Sequence, residues 1–258
     1  MFKKSKLTKR EKILILIWVF LLVLSLSLLS VLASILGRNP QEQSITTLSW
    51  AGYAVLKNSN PNFEVTAINA SWVVPEVNAS AGDGSSSAWI GIGGQVDGTL
   101  IQAGTEQDAA NGQATYYAWY ELLPAFAVRL NSVGVSPGDI MVVSINLINS
   151  DGNLWRIQVT DETTGQAFSR NVVYNSTRSS GDWILERPTV KNRISTLADF
   201  GSVAFTSCYA NVNSANGPIA QFSFSKIQMS NSQEVPLTST SDLTDGKSSF
   251  TVSYRAAK

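Results

Sequence analysis

Beyond residue 47 the chain alternates between apolar and polar positions. From Phe63 to Val74, Tyr116 to Leu122 and Ile140 to Ile148 the alternation has a period of two, and the helical period of about 3.6 residues is absent there. Further short runs read as strands: Ala88 to Ile92, Leu100 to Ala103, Trp155 to Thr160, Asp182 to Glu186, Val203 to Cys208, Ile219 to Gln228 and Ser248 to Tyr254. Turn signals separate them at Asn111-Gly112, Pro137-Gly138-Asp139, Asp151-Gly152-Asn153 and Asp245-Gly246. Regularly spaced strands with no helices between them predict an all-β fold of two antiparallel sheets packed face to face.

The N-terminal segment follows another rule. Residues 13–36 are nearly all apolar and carry no charge, which is long enough to cross a bilayer as a helix. A signal peptide is the competing reading. Its apolar core is usually about 7–15 residues and ends at a small-x-small site, whereas this run is longer and offers only Val31-Leu32-Ala33. The expected organisation is a basic cytoplasmic region (1–12), a transmembrane anchor or signal peptide (13–36), a polar linker (37–47) and one β domain (48–258). The domain then stands on the extracellular side of the cell membrane or is secreted, and three sequons at Asn69, Asn78 and Asn175 are compatible with export.

Charge and composition narrow the chemistry. Lys3, Lys4, Lys6, Lys9, Arg10 and Lys12 face only Glu11 in residues 1–12, so the remainder holds 13 basic against 18 acidic side chains. An acidic body without a basic cluster argues against a nucleic-acid partner. With no histidine the chain cannot build a Ser-His or Cys-His nucleophile, and it lacks the commonest ligand of a catalytic zinc. The single cysteine, Cys208, excludes an intrachain disulfide and reads as a buried thiol. No cofactor or metal is expected. Any hydrolytic chemistry must use carboxylates, amides or hydroxyls.

Two segments are unlike ordinary sandwich surface. In Trp89-Ile90-Gly91-Ile92-Gly93-Gly94 a large aromatic shares a strand face with Gly91 and Gly93. That shape suits a groove where another backbone approaches, and equally a bulge or bend. In Tyr116-Tyr117-Ala118-Trp119-Tyr120-Glu121, Trp119 and Glu121 share a face. A third stretch puts Asp182, Ile184 and Glu186 on one side and Trp183, Leu185 and Arg187 on the other. Taken alone, Glu186, Glu121 and Gln102 read equally as exposed or structural positions.

The order of these pieces resembles the glutamic peptidases, or eqolisins. The resemblance runs through Ser49-Trp50-Ala51-Gly52-Tyr53, Ala70-Ser71-Trp72-Val73-Val74-Pro75, Ala88-Trp89-Ile90-Gly91-Ile92 and Leu100-Ile101-Gln102-Ala103-Gly104. It continues in Trp119-Tyr120-Glu121, Pro137-Gly138-Asp139 and Trp183-Ile184-Leu185-Glu186. It implies a concanavalin-like jelly roll with the site on the concave face of one sheet. It further implies an acid endopeptidase, a monomer, acting on polypeptides with Glu186 and Gln102 as catalytic residues and Trp89, Trp119, Glu121, Gly91 and Gly93 lining or supporting the site. The implied mechanism has an ionised Glu186 take a proton from water and return it to the leaving nitrogen, while Gln102 holds the water and the oxyanion. Gly93 stands where the family often has Asp, Leu122 and Leu123 where it has aromatic residues, and a long propeptide is missing. The alternatives are a lectin-like module that binds carbohydrate or peptide, and a glycosidase using Glu121 with Glu186.

Overall fold

A computed structural model describes residues 42–57, 62–95, 98–190 and 192–255. The basic segment 1–12, the anchor or signal peptide 13–36 and the start of the linker lie outside the described residues. Among the described residues no helix is long and apolar enough to cross a membrane.

The strands form two large sheets and one small hairpin. The first sheet runs in the order β1 (Glu42–Thr47), β16 (Phe224–Met229), β2 (Trp50–Leu56), β11 (Ser180–Glu186), β4 (Gly84–Gly93), β5 (Leu100–Ala110), β6 (Gln113–Leu122) and β7 (Val128–Arg129). The second runs β10 (Ala167–Val173), β9 (Leu154–Asp161), β8 (Ile140–Asn149), β3 (Val65–Val73), β14 (Ser202–Val212), β18 (Phe250–Tyr254) and β17 (Thr238–Thr240), with β15 (Ala215–Pro218) beside β14. The hairpin pairs β12 (Thr189–Val190) with β13 (Arg193–Ile194). Alternation puts Tyr53, Ile90, Ile92, Tyr120 and Trp183 on the inner face of the first sheet, against Trp72, Ile145, Trp155, Phe205 and Phe250 of the second. Burying an aliphatic or Phe side chain in such a core contributes roughly 1.5–3 kcal/mol. A second, smaller apolar cluster on the outer face of the first sheet contains Ala54, Trp89, Leu100, Trp119, Ile184 and Ile227.

Several elements differ from the sequence expectation. Residues 42–47, expected to be linker, form β1, because Ile45 joins the outer cluster while Ser and Thr neighbours tolerate an edge position. β1 pairs with β16 in parallel, an exception to the antiparallel rule. β2 and β10 escaped the pattern for opposite reasons. Trp50–Leu56 is largely buried on both faces and so does not alternate, and Ala167–Val173 is mostly exposed. The run from Ile219 to Gln228 breaks into a 3-10 turn, Ile219–Gln221, followed by β16. β5 continues to Ala110 because Asn111 and Gly112 both take positive φ, 53° and 74°, the conformation that a tight two-residue hairpin turn requires.

Candidate active site

Residues directly opposite on neighbouring antiparallel strands share a face, so the register assembles the outer face of the first sheet. One row crosses it as Trp50, Glu186, Ser87, Glu106 and Tyr117. The next row holds Gly52, Ile184, Trp89, Gly104 and Trp119. A third holds Ala54, Asp182, Gly91, Gln102 and Glu121. Over these rows lies a groove of about 390 Å³, walled by Gln102, Glu186, Trp119, Glu121 and Trp50 and bounded by Leu123 and Ala127 and by Pro188 to Val190.

Each candidate side chain is held by a neighbour. Trp89 donates its indole N–H to Oε2 of Glu186 at 2.8 Å. Trp50 makes a further side-chain hydrogen bond to the same carboxyl. Gln102, buried, donates from Nε2 to Oε2 of Glu121 at 2.6 Å, and its own Oε1 has no hydrogen-bond partner. Trp119 donates its indole N–H to Oγ of Ser87 at 3.1 Å, and Ser87 donates in turn to the carbonyl of Thr105 at 3.0 Å.

The electrostatics favour protons on this face. Burial among aromatic rings pushes the carboxyl of Glu186 up to about 7; the indole N–H groups oppose this and the charge of Glu121 adds to it. Burial, with Asp108 next, pushes Glu106 up to about 9. Glu121 is also raised by burial, against the pull of its bonds from Gln102 and the backbone of Ala127. In the row of Asp182, burial alone holds that carboxyl well above its ordinary range, despite the hydroxyl of Ser180 at 3.0 Å. A free-glutamate pKa therefore does not apply to Glu186. In acid its carboxyl begins protonated, where the sequence reading began with a carboxylate.

Of the residues singled out from sequence, Glu186, Gln102, Trp119 and Glu121 come together on the groove wall. Trp89 is fully buried beneath it and touches Glu186 rather than the open space. Gly91 and Gly93 are buried as well. A Cβ on Gly91 would lie 2.8 Å from Leu100 and 3.0 Å from the ring of Trp89, and one on Gly93 would lie 2.3 Å from the carbonyl oxygen of Thr99. The space these glycines leave is thus filled by the protein itself. The sequence reading missed Trp50, Ser87, Glu106 and Tyr117 as wall residues. Continuing the alternation Leu100, Gln102, Gly104 by one step reaches Glu106. The polar run Thr105-Glu106-Gln107-Asp108 hid it. Among the described residues no group of His, Cys, Asp and Glu is arranged to hold a metal ion.

Comparison with known proteins bears on what such a groove does. The profile described as the peptidase A4 family matches residues 48–254. Over 186 residues the chain is 28% identical to aspergillopepsin-2 of Aspergillus niger, covering 63% of this chain and 64% of that protein. Over 156 residues it is 29% identical to scytalidopepsin B of Scytalidium lignicola, covering 57% of this chain and 54% of that protein. The match thus spans less than two thirds of the length of either relative. Among solved structures, a scytalido-glutamic peptidase with a transition state analog inhibitor has a similar fold, with a TM-score of 0.67, 21% identity and coverage of 81% of this chain and 98% of that chain. Aspergilloglutamic peptidase from Aspergillus niger gives a TM-score of 0.59 at 27% identity, covering 66% of this chain and 99% of that chain.

Proposed function

Because the chain belongs to the peptidase A4 family, we propose that it is a glutamic-type endopeptidase, working in acid, in which Glu186 moves the protons and Gln102 holds the water and the carbonyl oxygen under attack. The observation that carries this reading is the shared groove. A half-buried carboxyl gripped by two indoles and a buried amide tethered to Glu121 line one open cleft.

The chemistry follows from what an amide resists. Water is a weak nucleophile and the carbonyl a weak electrophile, so both need help. In acid the proton of Glu186 passes to the substrate carbonyl oxygen, which the free N–H of Gln102 also supports. The carboxylate left behind takes a proton from the attacking water, whose other hydrogen is accepted by Oε1 of Gln102. Glu186 then gives that proton to the leaving nitrogen and the C–N bond breaks. The surplus proton on the new carboxylic acid returns to Glu186, so the enzyme is regenerated and one water is consumed.

Residues 13–36 are proposed to bring the domain to the extracellular side of the membrane, as a retained anchor or a cleaved signal. Membrane fractionation with N-terminal sequencing separates the two. The activity itself is tested by incubating the full chain with a denatured protein from pH 3 to pH 8. Fragments should appear in the acid range, persist in EDTA and after serine or thiol reagents, and persist in Cys208→Ser. Absence of fragments at every pH would overturn the reading.

A further inference from the structure

We propose that Trp89 is a positioning residue for Glu186, seated on Gly104 and Gly91 so that its indole N–H grips one carboxyl oxygen from beneath the groove. This rests on the reading of Glu186 as the proton carrier. Trp89 is fully buried and absent from the groove wall, unlike Trp50 and Trp119, so it is not a surface on which substrate lies.

Its seat is made by missing side chains. Gly104 stands opposite Trp89 in the ladder, and a Cβ there would lie 2.5 Å from Cβ of Trp89 and 2.2 Å from the carbonyl oxygen of Ala88. The Cβ that Gly91 lacks would lie 3.0 Å from Cζ3 of the same ring. Neither glycine has a positive φ, so space rather than backbone conformation is what they supply. Trp50 closes the other side, its ring edge-on to Trp89 at 5.0 Å and 80°. The indole is thereby held in one orientation, with Nε1 at 2.8 Å from Oε2.

An indole N–H only donates. It stabilises the carboxylate over the acid and fixes the carboxyl through Oε2. Among the described residues the other groups around Glu186 offer no substitute, and the guanidinium of Arg129 lies over the ring of Tyr117 at 4.6 Å. β2 contributes Trp50, β4 contributes Ser87 besides Trp89, β5 contributes Glu106, and β6 contributes Tyr117 and Glu121. Arg187, next in the chain, is turned onto the carbonyl of Leu48 at 2.7 Å. The indoles are therefore the counterweight to burial.

The test is Trp89→Phe in the full chain, which keeps most of the ring and removes the donor. Turnover should fall about tenfold or more with KM changed less than about twofold, because the group acts on the chemistry rather than on binding. The high-pH limb of kcat/KM should move upward by about one unit, and carbon-13 NMR of the Glu186 carboxyl should show the same displacement. A raised KM with unchanged kcat, or a titration that does not move, overturns the proposal. Should Trp89→Phe fail to fold, Gly104→Ala, which crowds the seat, is read by the same titration with the same expected direction. The NMR reading does not need activity. It therefore separates failure of this inference from failure of the peptidase reading, which active Glu186→Gln would reveal.

Discussion

Gln102 has two amide hydrogens and an acceptor oxygen, and the structure commits one hydrogen to Glu121 while leaving Oε1 without a partner. Gln102→Ala should accordingly lower kcat about 100- to 1,000-fold with little effect on KM, measured on a fluorogenic peptide in acid. Glu121→Gln should lose only about tenfold, since it perturbs the amide without removing it. Combining Gln102→Ala with Glu186→Gln should be little worse than either alone, because residues acting as one unit are not additive. Much of this pairing was legible in the chain. Around the Asn111-Gly112 turn, Gln102 and Glu121 are each nine residues away, and Glu106 and Tyr117 each five, so counting from the turn predicts both cross-strand pairs. The indole contacts of Glu186 were not legible, because β11, β4 and β2 are brought together by long connections with no register signal.

At the scale of one element, β11 is the central strand that presents the proposed catalytic carboxyl. Its inner face places Trp183 and Leu185 in the core, and its outer face presents Asp182, Ile184 and Glu186, as the alternation anticipates. What alternation alone does not reveal is that the outer face is also buried, under aromatic side chains of β2, β4 and β6. Asp182 illustrates the consequence, being fully buried with its carboxyl held well above the ordinary range. A carboxyl whose folded pKa exceeds its unfolded value binds its proton more tightly when folded. Its contribution is complete below the unfolded pKa of about 3.9 and is lost as pH rises toward the folded one. Asp182→Asn mimics the protonated form. It should leave melting unchanged near pH 3.5 and raise the melting temperature at pH 7 to 8, as followed by circular dichroism. An equal change at both pH values would show that ionisation of Asp182 is not what limits stability.

For the whole molecule these carboxyls act in the same sense. Glu186 at about 7, Glu106 at about 9, and the raised Glu121 and Asp182 all favour the folded state in acid. The opposing case, Asp242 lowered by Lys226, is an exposed pair and contributes little. Stability against denaturant should thus decline from about pH 5 toward pH 9, with a slope approaching ~1.4 kcal/mol per pH unit for each titrating carboxyl. A profile that rises from acid to neutral would contradict the assignment of these protons. The same reasoning makes activity fall as pH climbs through about 7, where Glu186 loses its proton. The sequence disclosed an all-β sandwich through its alternation and turns, but the acid-adapted face depends on which carboxyls become buried, and that emerges only from packing. The most direct test of the account is cleavage of a denatured protein at acid pH by Glu186→Gln, a variant of nearly the same size that should fold as the parent does. The account predicts a folded protein whose cleavage falls to background. A folded Glu186→Gln protein that cleaves at near the parent rate would contradict it.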